Sequence, residues 1–293
     1  MPTENLPVAD PYSSRLGNQW EIAPRVDPVL WAPGANGPLS ESQRQTFENW
    51  GYYPFPQLIS TDRAQSLLAE AKYLQQSLDP NLDYVISEPN HQEIRSIFRV
   101  HEDNPRFEEV CRDEQIVGIA RQILGSDVYL HQSRINFKPG FRGKEFFWHS
   151  DFETWHVEDG MPRMRAVSIS LSLTENNAYN GPLMLVRGSH LSYVRCVGET
   201  PEEHFRSSLK KQEFGVPNRE ALRLLVEQGE IVAPTGGPGS AVMFDCNTMH
   251  ASVSNLSPYP RTNLFLVFNS VENRLEEPFG GTPPRPRFLS YRP

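Results

Sequence analysis

The sequence predicts a mainly β fold with flanking helices, and three observations carry that prediction. The hydrophobic period is 3.6 before Ser126 and 2 after it, so helices precede a strand-rich half. Turn clusters such as Asn180-Gly181-Pro182 and Thr235-Gly236-Gly237-Pro238-Gly239 separate short strands with no alternating helices between them. That pattern favours antiparallel sheets, as a sandwich or a jelly roll, with the early helices packed outside. Finally, 293 residues suffice for one large core. A chain of this size buries about three quarters of its unfolded surface, so neither a disulfide nor a structural metal is needed to hold it together.

Residues 1–38 carry seven prolines and little periodicity, which predicts an irregular N-terminal arm. The single folded domain is expected over 39–293, with no internal repeat and no second-domain linker. Ser40 and Gln43 have capping-box spacing ahead of a helix to Trp50, stopped by Gly51. A strand follows over Tyr52 to Ile59. Leu67, Leu68, Ala71, Leu74 and Leu78 mark one amphipathic helix; Val110, Ile116, Ile119, Ala120 and Ile123 mark a second, ended by Gly125. Strands are predicted over Asp127–Lys138, Arg165–Thr174, Leu183–Val186, Gly239–Cys246 and Arg261–Val271. The Pro-rich stretch 278–293 reads as a surface tail.

Composition narrows the function. With 36 acidic and 28 basic side chains the net charge is -8, and no dense Lys/Arg block is present, which excludes a phosphate-tracking surface and hence nucleic acid as a partner. No apolar run approaches the roughly 20 residues of a membrane helix. The N-terminus lacks a secretory pattern, and Cys111, Cys196 and Cys246 are odd in number and far apart, which fits a reducing cytoplasm. A small molecule is the expected partner.

The densest chemical stretch runs from Phe146 to Pro162 and contains His149-x-Asp151. In an extended segment, residues two apart point the same way, so the imidazole and carboxylate can reach one metal ion. His250 follows the strand Gly239–Cys246 and is the best third ligand. Together they match the 2-His-1-carboxylate arrangement of non-haem Fe(II), which leaves positions open. Ser252 and Arg261 lie just downstream, where a 2-oxo acid held on iron needs a planar cation for its distal carboxylate. The alternative for Arg261 is a surface arginine after Ser-Pro-Tyr-Pro. Against it, Arg261 opens the apolar run Leu264–Phe268, where an unpaired charge is costly.

From about Leu39 onward the chain resembles the phytanoyl-CoA dioxygenase superfamily of Fe(II) and 2-oxoglutarate oxygenases, and Phe146–Pro162 resembles the signature of its ectoine hydroxylase branch. The resemblance implies a double-stranded β-helix core, the cupin-like jelly roll. It also implies iron on His149, Asp151 and His250, with 2-oxoglutarate on Arg261 and O₂ as the other cosubstrate. The implied reaction converts ectoine to 5-hydroxyectoine and releases succinate and CO₂; a homodimer is a further implication. Along the strand Asp127–Lys138, Gln132, Arg134 and Asn136 share one face. A solvated outer face is one explanation. The resemblance instead assigns Gln132 and Arg134, with Thr154, to ectoine and Asn136 to 2-oxoglutarate, with Phe98, Ser168 and Ser252 lining the cosubstrate. Ectoine combines an amidinium ring with a carboxylate, so its pocket calls for aromatic faces as well as a cation. Trp155, Phe244 and Phe265 are candidates, with core packing as the alternative.

The remaining features carry less. His91, His101, His131, His190 and His204 lack ligand spacing, and His156 reads as a structural hydrogen-bonding group. Gly236–Gly239 is a turn, since no Lys-Ser/Thr follows it, and no Gly-x-Ser-x-Gly elbow is present. Two rival functions remain open: the same oxygenase chemistry on another small solute or amino acid such as proline, and a non-catalytic, metal-free or zinc-occupied jelly-roll binding protein. A zinc hydrolase lacks an obvious general base.

Overall fold

The structure is a computed structural model that describes residues 10–88 and 93–293; His91 and the first nine residues of the arm lie outside them. In chain order the elements are β1 (Glu21–Pro24), α1 (Glu41–Trp50), β2 (Tyr52–Phe55), α2 (Thr61–Ser77), β3 (Val85–Ser87), β4 (Ile94–Phe98), α3 (Val100–Asp103), α4 (Pro105–Cys111) and α5 (Glu114–Leu124). Then come β5 (Val128–Lys138), β6 (Phe146–His149), α6 (Asp151–Asp159), β7 (Ala166–Ser172), β8 (Leu183–Val186), β9 (Ser192–Arg195), α7 (Phe205–Ser208) and α8 (Arg219–Gln228). The chain closes with β10 (Ile231–Val232), β11 (Ala241–Asp245), β12 (His250–Ser252) and β13 (Arg261–Ser270).

A seven-stranded sheet, ordered β2-β11-β7-β13-β5-β4-β3, faces a four-stranded sheet, β10-β8-β12-β6, across the cavity described below. The strand pairs are antiparallel, as the turn clusters predict, and the architecture is the jelly roll of the expected class.

Alternation along the strands divides the large sheet into two chemically different faces. Leu264, Leu266 and Phe268 of β13, Val167, Ile169 and Leu171 of β7, and Ile135 and Phe137 of β5 join one apolar core with Phe47, Leu67, Ile116, Ile119 and Ile123 of the helices. The intervening residues, among them Arg134, Asn136, Arg261 and Phe265, turn inward to the cavity. The helices therefore back the sheet and leave its other face for chemistry.

Local signals explain several boundaries. Ser40 and Gln43 form the expected capping box, and Gly51 closes α1 at φ 78, a left-handed conformation that favours glycine. The strand expected over Tyr52–Ile59 stops at Phe55. The second amphipathic helix is in fact two, α4 and α5, because the Asp113 side chain accepts from the amides of Gln115 and Ile116 and starts a new helix.

Two segments differ from their sequence reading. Residues 10–38 are not an irregular appendage: β1 pairs with β9, Tyr12 is fully buried with its hydroxyl donating to Asp27, and Arg15 forms two buried ion pairs with α6. Proline-rich composition limits regular structure but does not prevent side chains from docking. Residues 278–293 likewise are not a surface tail, since Leu289 and Ser290 are buried and Arg285 pairs with Asp159.

Candidate active site

The site is assembled from one cross-strand pair and one helix start. His149 ends β6 and stands directly opposite His250 of β12. Ser150 then caps α6, its hydroxyl accepting the Glu153 amide, so Asp151 occupies the first helical position. His149 and Asp151 thus converge through a strand-to-helix turn and not through the extended segment that the spacing predicts.

The ring centres of His149 and His250 are 4.2 Å apart. Asp151 Oδ1 lies 3.6 Å from His149 Nε2 and 3.9 Å from His250 Nε2, and the three ligand atoms all fall within 4.8 Å of one another. Each imidazole is oriented by its own backbone: Nδ1 of His149 is 2.8 Å from the Phe147 carbonyl, and Nδ1 of His250 is 2.9 Å from that of Thr248. Donation from Nδ1 leaves Nε2 as a lone pair directed at the shared centre. Ser168 donates to the other carboxylate oxygen of Asp151 at 3.4 Å.

Electrostatics agree with that geometry. Burial, and then the neighbouring His149, push His250 down to about 4, so it is neutral near pH 7. Burial works to raise the Asp151 carboxyl, but His250, His149 and Arg134 outweigh it and hold it below the usual carboxylate range. Two imidazoles and one carboxylate on one side of a centre fit a divalent iron ion with open positions.

The triad edges a cavity between the sheets, whose walls include Phe98, Arg134, Asn136, Lys138, Phe146, Ser252, Arg261 and Phe265. Four cations reach it, but they are not equally free. Arg95 pairs with Glu88 at 3.1 Å, and Lys138 donates to Ser252 Oγ at 2.8 Å and to the Val253 carbonyl. Arg134 and Arg261 each bury an Nε with no partner among the described residues. Burial pushes Arg261 down to about 10, with Arg95 adding to the effect, and burial also lowers Arg134. Buried, under-partnered guanidinium groups call for anionic ligands.

Of the residues singled out in the sequence, the cavity brings together Phe98, Arg134, Asn136, His149, His250, Ser252, Arg261 and Phe265. Ser168 meets the site through Asp151. Phe244 packs beside the His250 ring, 5.0 Å between centres, in the same apolar cluster as Phe265. Gln132 donates to the Leu289 carbonyl at 3.0 Å, and Thr154 accepts from Gln212 at 3.1 Å. Trp155 is buried with Tyr12, Phe152 and Met161, edge-on to His131. These last three side chains make protein contacts rather than line the cavity. His156 has the structural role expected of it, bonding Met161 and Asp10.

Sequence reasoning missed Lys138, Arg95 and Glu88. Lys138 was legible, since it continues the alternating set Gln132, Arg134, Asn136 and sits opposite Arg261 in the β5–β13 register. Arg95 and Glu88 lie on or beside short strands that give no periodic signal.

The sequence profile of the phytanoyl-CoA dioxygenase family matches residues 47–263. The chain belongs to that family. Within the phytanoyl-CoA dioxygenase family, it is 50% identical over 289 residues to the ectoine dioxygenase of Sphingopyxis alaskensis, covering 97% of this chain and 94% of that protein. It is 52% identical over 290 residues to the ectoine dioxygenase of Bordetella bronchiseptica, covering 98% and 94%. The S. alaskensis enzyme solved with 2-oxoglutarate and 5-hydroxyectoine superposes with a TM-score of 0.87 at 46% identity, over 97% of this chain and 95% of that one. Its structure with bound Fe gives 0.85 at 44% identity over the same shares.

Proposed function

We propose that this chain is an ectoine hydroxylase, an Fe(II)- and 2-oxoglutarate-dependent dioxygenase that converts ectoine to 5-hydroxyectoine. The observation that carries the reading is the placement of a three-ligand centre at the edge of a cavity that also holds two under-partnered arginines. Near-full-length likeness to ectoine dioxygenases narrows the substrate.

His149, Asp151 and His250 would hold the iron. Arg261 offers its planar fork to the distal carboxylate of 2-oxoglutarate, with Ser252 and Asn136 as hydrogen-bonding neighbours, Phe98 as an apolar wall and Ser168 steadying Asp151. Arg134 takes the carboxylate of ectoine, and Phe265 offers a ring face to the amidinium. Gln132 sits two residues before Arg134 on the same strand face, Phe244 packs with Phe265, and Thr154 and Trp155 lie on the helix that starts at Asp151; we assign all four to the ectoine side. Bound iron and 2-oxoglutarate supply the oxidising chemistry, in which O₂ is consumed, the keto acid leaves as succinate and CO₂, and one oxygen atom enters the substrate as hydroxyl. The protein's contribution is orientation and exclusion of water, so no general acid or base is required.

No helix among the described residues is long and apolar enough to cross a membrane. The three cysteines are free and buried, which suits the cytoplasmic setting we assign. The domain reading is one catalytic domain over 39–293 preceded by the arm 1–38, of which the described residues 10–38 lie against it, and a homodimer completes the proposal, tested by sedimentation. The deciding experiment is aerobic incubation with ectoine, Fe(II) and 2-oxoglutarate, followed by mass spectrometry. The expected product carries one added oxygen atom, with succinate in equal amount. Product from proline but not ectoine would change the substrate, and no product with either would favour a binding protein.

A further inference from the structure

Lys138 ends β5 and is one of the four cations that reach the cavity, yet none of the roles assigned there falls to it. Its side chain runs through a slot that two glycines keep open. A Cβ at Gly143 would overlap Lys138 Cγ, and one at Gly181 would overlap Cδ and stand 2.9 Å from the Val253 carbonyl. Gly181 is the centre of the Asn180-Gly181-Pro182 turn and has φ 79, so glycine suits it on both counts. The main chain is fixed as well: Asn255 Nδ2 donates to the Lys138 carbonyl at 3.3 Å, and the Asn255 amide donates to the Gly143 carbonyl at 2.8 Å.

The slot delivers the ammonium to β12 and the residue after it. Nζ lies 2.8 Å from Ser252 Oγ and 2.6 Å from the Val253 carbonyl. A carbonyl oxygen only accepts and an ammonium only donates, so Lys138 gives a hydrogen bond to both. Burial, with Arg261 and Arg95 close by, works against the charge on Lys138, whereas Glu88 and Glu145 work for it. A carboxylate bound beside Arg261 and Ser252 joins the second side.

A serine hydroxyl can accept and donate at once. With its oxygen accepting from Lys138, the hydrogen of Ser252 is not used in that bond and is available to an anion in the cavity, whose wall Ser252 and Arg261 share. Lys138 also stands opposite Arg261 in the β5–β13 register, so the three residues are neighbours drawn from three strands.

We propose that Lys138 is a positioning residue for the 2-oxo acid cosubstrate: its ammonium holds Ser252 as a hydrogen-bond donor to the distal carboxylate that Arg261 receives. A 2-oxo acid without that carboxylate gains nothing from the arrangement, so Lys138 helps to select a dicarboxylate. This inference rests on the assignment of Ser252 and Arg261 to 2-oxoglutarate.

The test uses the full iron-loaded chain under anaerobic conditions, comparing wild type, Lys138→Met, Ser252→Ala and the double variant. 2-Oxoglutarate and 2-oxopentanoate, which lacks the distal carboxylate, are titrated by calorimetry and by the iron charge-transfer band. Each single variant is expected to bind 2-oxoglutarate about tenfold more weakly, as the loss of a charge-assisted hydrogen bond predicts, and 2-oxopentanoate within about twofold of wild type. The double variant should lose little beyond either single one, because the lysine acts through the serine. Gly143→Ala, which displaces the lysine stem and keeps the ammonium, should show the same selective loss and takes the place of Lys138→Met if that variant does not fold. Three results would overturn the proposal: unchanged 2-oxoglutarate binding when the lysine is removed or displaced, single losses that multiply in the double variant, or an equal loss for 2-oxopentanoate. A Ser252→Ala that binds 2-oxoglutarate normally, or a wild type that binds the two acids equally well, would instead remove the assignment on which the proposal rests.

Discussion

Phe265 stands opposite Arg134 across the β5–β13 pair, and the guanidinium carbon of Arg134 lies 4.9 Å from the centre of its ring. The ring face stabilises a buried cation without using its N–H donors. That matters because Arg134 Nε has no hydrogen-bond partner among the described residues, and burial lowers its pKa. The arginine is thus held in place with donors free for a carboxylate.

Arg134→Ala should therefore weaken ectoine binding by about 1–3 kcal/mol, the range of a charge-assisted hydrogen bond. Phe265→Leu, which removes the ring face but keeps the bulk, should cost less. Titration of the iron-loaded protein with ectoine checks both, and unchanged saturation in Arg134→Ala would remove that residue from the substrate site.

Arg261 makes a different demand. Replacing it with Lys keeps the charge but loses the planar fork, and places a second ammonium opposite Lys138. The affinity for 2-oxoglutarate, read from the anaerobic charge-transfer band, should fall at least tenfold, whereas ectoine affinity should change little. Equal loss of both would point to general damage around β13.

The His149–His250 pair and Asp151 should behave as one unit. His149→Ala, Asp151→Ala and His250→Ala are each expected to lose bound iron and turnover, with thermal unfolding showing an intact fold. Metal content by mass spectrometry is the check, and a variant that keeps full iron content and activity is not a ligand.

Much of this arrangement is legible in the sequence because both its periods survive in the fold. Alternation in β5 and β13 separates Ile135, Leu264 and Leu266 from Arg134, Asn136, Arg261 and Phe265, and the structure sends the first set to the helices and the second to the cavity. The triad is legible from its residue types and spacing. What the sequence conceals is long-range docking. Nothing local announces that Arg15 will reach α6, that Leu289 will meet Gln132, or that Trp155 will face His131 in an apolar cluster. Those contacts depend on where two distant segments land, and composition records only that both are rich in proline.

The docked arm supplies the last prediction. Glu158 is buried and accepts from Arg15 at 2.6 Å and from His204 at 2.8 Å. Burial works to raise its carboxyl, but His204, Arg285 and Arg15 outweigh burial and lower it from 4.5 to about 2. A carboxyl that is more acidic in the folded state takes up its proton first in the unfolded chain as pH falls. Its stabilisation is therefore complete above the ordinary carboxylate range and is lost as pH drops from there towards about 2. A shift of that size corresponds to roughly 3 kcal/mol. Glu158→Gln keeps the shape and removes the charge, leaving Glu153 as the one carboxylate paired with Arg15 among the described residues. Denaturant unfolding at about pH 7 should show the wild type more stable by an amount of that order, and the gap should shrink progressively towards about pH 3. A gap that stays constant over that range would mean that the Glu158 charge does not carry the stabilisation.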